Sequence, residues 1–138
     1  MGALALTVVS CETLGGSKGS PEEFQTLKDG LTADRSDLSR AVSDGALDRI
    51  PDITTKLSKR FDDIWAKSSA MNLVDREHMA IQLASARKQI VSIAQWANSN
   101  DADAVRTEID KLDGILGEVD ELLGNTIRAK TSDQPSAS

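Results

Sequence analysis

Few residues in this chain have the chemistry to act as a catalyst or a metal ligand. The strongest candidates are one cysteine, Cys11, and one histidine, His78. A cysteine nucleophile needs a base beside it, and nothing in the sequence places His78 near Cys11. A single cysteine also excludes an intrachain disulfide, a multi-cysteine zinc site and a Cys-x-x-Cys-His haem attachment. A di-iron site in a helical core needs inward glutamates and two Glu-x-x-His pairs. Here Asp75 and His78 form one imperfect pair, and Asp34 is the only carboxylate on an expected apolar stripe. Met71 and Met79 are read as packing side chains rather than a soft-metal pair. No Gly-rich turn follows a strand-like run to cradle a phosphate. The expectation is a protein with no cofactor, no metal and no catalytic residue, working through its surface.

The elements that must carry that surface are helices. Between Asp103 and Thr126, residues Val105, Ile109, Leu112, Leu116, Val119 and Leu123 recur at alternating steps of four and three. That spacing lines them up on one face of an α-helix, a face that must be buried by other helices. Upstream, Ser20-Pro21-Glu22-Glu23 spells a capping box with Pro at the first helical position, and Gly45 suits a left-handed C-cap. Pro51 is harmless only if it falls in the first turn of its helix. Asn72 and either Asp101 or Asp103 are the expected N-caps of the last two helices. Helices are thus predicted near residues 20–44, 47–67, 72–98 and 102–124. With short turns between them, the fold class is all-α, an antiparallel up-down-up-down four-helix bundle. Leu57, Phe61, Leu83, Ile90, Leu112 and Leu116 are expected among its most buried residues. Asp34 falls where the first stripe wants an apolar group, so Ala33 is expected to pack there while Asp34 turns to the rim. Thr54, also on a stripe, should bond back along its own helix.

Composition agrees with one soluble-type domain: 39% hydrophobic and 28% charged residues, with only 3% aromatic and no Tyr. A net charge of −6 and a pI near 4.7 argue against nucleic acid, whose phosphates call for Lys and Arg. No apolar run reaches the ~20 residues of a membrane-spanning helix.

The first eleven residues, MGALALTVVSC, are apolar up to the cysteine. Val8-Val9-Ser10-Cys11 resembles the lipobox of bacterial lipoproteins: an aliphatic residue, a tolerant position, a small residue, then Cys. The resemblance covers these four residues and their apolar approach, and lacks the basic n-region of a signal peptide. It implies lipidation of Cys11, a membrane anchor, and a place in the bacterial cell envelope on its periplasmic or extracellular side. Residues 12–19 have the composition of a flexible tether. The domain reading is therefore 1–19 signal-like segment and tether, 20–127 helical body, and 128–138 disordered tail. The alternative is a cytoplasmic interaction module without a lipid, and a less favoured one is a small-ligand or metal carrier using the bundle.

Of the remaining residues, His78 falls one position from the third stripe, on its outward side. A histidine phosphotransfer motif would put Lys and then Gly where Ile81 and Gln82 stand, so that chemistry is not expected. With Met79 on the seam, Val74 and Ile81 lie farthest from it and Leu73 beside them. Together with Trp65 and Met71 they make the candidate contact surface, for a protein partner or a second copy.

Overall fold

The computed structural model describes residues 19–132. Among them are four α-helices: α1 (Pro21–Ser43), α2 (Ile50–Lys67), α3 (Leu73–Asn98) and α4 (Ala102–Ser132). Single turns of 3-10 helix, Leu47–Arg49 and Ser68–Ala70, lead into α2 and α3. Among the described residues there is no strand. Cys11, its apolar approach and residues 133–138 lie outside the described residues.

The helix ends follow local chemistry. Ser20 accepts the Glu23 amide at 3.2 Å, and the Glu23 carboxylate reaches back to the Gly19 amide at 2.8 Å. Lys67, at the end of α2, joins the same carboxylate at 3.2 Å. Burial pushes the Glu23 carboxyl up, but the Gly19 amide, then Lys67, outweigh it and hold it below its usual value. Gly19 itself is at φ +73°, and a Cβ there would lie 2.2 Å from that of Ala70. Only glycine lets the chain enter the body at this point, against the turn before α3.

Two of the connections end their helices in the same way. After α1, the amides of Gly45 and Ala46 bond Val42 and Ala41, with Gly45 at φ +71°. After α3, Asn100 takes the left-handed position at φ +61°, and the amides of Asn100 and Asp101 bond Ala97 and Trp96. Both are Schellman motifs, which satisfy carbonyls the helix would otherwise leave unpaired. Asp101 then caps α4 through the Ala104 amide at 3.0 Å, and Asn72 caps α3 through that of Asp75 at 2.9 Å. Pro51 sits in the first turn of α2, where no donor is lost. Its carbonyl accepts the Thr54 hydroxyl at 2.9 Å, so Thr54 is a buried, satisfied side chain.

Each helix packs on the next, and α4 packs on α1 to close the ring. The interior is aliphatic, with Phe24 and Phe61 as its two fully buried aromatic rings. Leu57, Phe61, Leu112 and Leu116 are at most 1% exposed, and Leu83 and Ile90 are buried beside them. Each such side chain contributes about 1.5–3 kcal/mol by leaving water.

Two expectations are corrected. Asp34 does not turn to the rim. It is 2% exposed, on the stripe, while Ala33 faces solvent. Its carboxylate is met by Arg60 of α2, Nε to Oδ2 at 3.1 Å. Arg60 reaches it by lying over Gly30, where a Cβ would come within 2.3 Å of the guanidinium. Second, α4 does not stop at Gly124; of the expected tail, residues 128–132 are helical and 133–138 lie outside the described residues. The helix runs to Ser132, because Thr126 is buried, its hydroxyl bonding Leu122, and Ile127 packs on the core.

Candidate contact surface

The third helix differs from the others in having large apolar residues on both sides. Its inward face is Met79, Leu83, Ala86, Ile90, Ile93 and Ala97, all buried. Its outward side carries Leu73 (68% exposed), Val74 (72%), Ile81 (61%) and Val91 (56%), with Trp96 at the far end. An amphipathic helix of a lone protein is expected to be polar there.

The buried apolar face sets the rotation of α3, and polar groups between helices agree with it. On one side Gln89 and Ser92 donate to Glu108 Oε1 of α4, the Ser92 hydroxyl at 2.9 Å, while Lys111 holds Oε2 at 3.0 Å. The bond from Lys111, then those from Ser92 and Gln89, hold the Glu108 carboxyl below its usual value. On the other side Arg87 reaches Asp62 of α2 at 2.8 Å. Bonded on both flanks and buried along its inward face, α3 has Val74, Ile81 and Val91 turned outward.

Of the candidate residues, Leu73, Val74 and Ile81 are exposed on α3 and Trp65 on α2. Trp65, half-exposed near the end of α2, lies under the Arg76 guanidinium of α3 at 5.0 Å, a cation–π contact. Between these helices, Trp65, Ala80, Leu83, Ala84 and Arg87 line a groove of about 280 Å³. That volume is just below the usual range of ligand pockets, which begins near ~300 Å³. Met71 does not belong to this surface. At 8% exposed it is part of the core, because the extended backbone of the turn before Asn72 directs it inward. His78 is exposed one residue from buried Met79. Among the described residues no three acidic, His or Cys side chains gather as a metal site.

Val91 was not among the sequence candidates. Counting onward from Ile81 by three and four passes Ala84 and Lys88 and lands on it, so the signal was present in the spacing. Cys11, the lipidation candidate, lies outside the described residues, and no described helix is long and apolar enough to cross a membrane. In comparisons with known proteins, no family model, curated protein or solved structure matches the chain.

Proposed function

We propose that the chain is a non-enzymatic, membrane-tethered helical protein of the bacterial cell envelope, acting through protein–protein contacts. The anchor is the lipidated Cys11 implied by Val8-Val9-Ser10-Cys11, and residues 12–19 are its tether. The body is read as an antiparallel up-down-up-down bundle. In support, α1 pairs with α2 through Glu23–Lys67, Asp34–Arg60 and Asp37–Lys56, numbers rising on one helix as they fall on the other. Lys28–Asp120 and Arg35–Asp113 repeat that relation between α1 and α4.

The observation that carries the contact reading is the outward apolar side of α3. Exposing several large aliphatic side chains on one rigid helix raises no stability in water, and such patches commonly serve association. The anchor is tested by expressing the chain in a bacterium and measuring its intact mass in detergent extracts. An acylated form that disappears in Cys11→Ala is the expected result. A chain of unmodified mass would replace this reading with that of a soluble interaction module.

A further inference from the structure

The outward side of α3 contains a second seam. Val74, Glu77, Ile81, Ala84, Lys88 and Val91 follow one another at steps of three and four, and all six are exposed. This is the spacing of coiled-coil contact positions. Val74, Ile81 and Lys88 share one heptad position, and Glu77, Ala84 and Val91 share the other. When two copies of such a helix run antiparallel, residues of the first set face residues of the second. Centred between Gln82 and Leu83, that pairing sets Val74 against Val91, Ile81 against Ala84, and Lys88 against Glu77, each twice by symmetry. Apolar meets apolar, large meets small, and acid meets base. Neither Glu77 nor Lys88 has an ion-pair partner among the described residues, although nine other pairs are formed there. A parallel pairing would instead oppose Glu77 to Glu77 and Lys88 to Lys88.

We infer that the partner of this surface is a second copy of the chain, docked antiparallel through α3 about a two-fold axis near residues 82 and 83. The inference rests on the contact reading above and names its partner; it does not depend on the anchor. A two-fold interface requires a patch complementary to itself, and this one is. Ala84 opposite Ile81 lets the helices approach closely, while the two Glu77–Lys88 pairs at the flanks select the orientation.

The test is sedimentation equilibrium of the full chain carrying Cys11→Ala, so that lipid does not itself drive association. A species of twice the 14.8 kDa chain mass is expected. Glu77→Lys and Lys88→Glu should each weaken it on the order of tenfold or more, since each turns two attractions into two repulsions. Their effects on the net charge of −6 are opposite, so a shared loss cannot come from overall repulsion. Mixing the two variants should restore a heterodimer, because all four facing charges are then complementary. Helicity by circular dichroism should be unchanged in both, as the two positions are exposed. A monomeric parent chain, a dimer indifferent to either reversal, or no recovery on mixing would each overturn the inference. None of these results bears on acylation, which the mass of the Cys11-bearing chain reports separately.

Discussion

The α1–α2 interface and the outer side of α3 break the same rule in opposite directions. One puts a carboxylate inside and the other puts aliphatic side chains outside. The difference lies in whether the exception is matched within the fold. Asp34 has its partner within the chain: Arg60 lies across Gly30 to reach it, so the charge is paired where it is buried. Val74, Ile81 and Val91 have no such cover among the described residues. An internal exception is matched by a neighbour in the structure, and an external one points away from the molecule.

The comparison can be sharpened by removing each part in turn. Arg60→Ala leaves Asp34 buried and unpaired, and should cost ~3–5 kcal/mol in chemical denaturation. Asp34→Leu, which replaces the buried charge by an aliphatic group, should stay within ~1 kcal/mol of the parent or exceed it. If both changes cost alike, the ion pair is a stabiliser in its own right. A plain core change gives the scale: Leu116→Ala, at a fully buried site, should cost ~2–5 kcal/mol.

A smaller effect is expected at Glu108, which holds α3 in register. Its folded carboxyl titrates below its usual value, so its contribution is present above pH ~4.5 and is lost as pH falls through the folded value. Melting temperatures of Glu108→Gln should therefore decline less than the parent's between neutral pH and pH ~3. The smallest effect belongs to the outer surface. Val74→Lys combined with Ile81→Lys should leave monomer stability within roughly 0.5 kcal/mol at dilute concentration. Unfolding by that pair would mean that α3 is rotated from the position described.

Much of this fold could be read before the structure because its signals are local. Capping boxes, a glycine after a helix and a three-and-four stripe all lie within one or two turns of what they specify. Asp34 was misread because its reason lies elsewhere, in Arg60 on another helix and in the missing side chain of Gly30. The end of α4 was misread because Gly124 looks like a stop, whereas Thr126 and Ile127 gain contacts only when the other helices are present. Met71 was placed on the surface by its neighbours in sequence, but the turn before Asn72 turns it inward. Val74 and Ile81 were found outside because heptad counting needs only one correct anchor, Met79.

The entry point at Gly19 has a mechanical consequence. From Cys11 to Gly19 the chain spans at most about 25–30 Å, so an anchored body is held by the end where α3 begins. In the antiparallel pair proposed above, Leu73 falls opposite Ser92, so the two α3 starting points lie at opposite ends of the seam, about 29 Å apart along it. A single tethered copy is free to swing like a buoy on a short line. Two joined copies moored in one bilayer would be held at both ends, by tethers about as long as the ends are far apart. Pairing would thus turn a freely swinging body into one restrained toward the plane of the membrane.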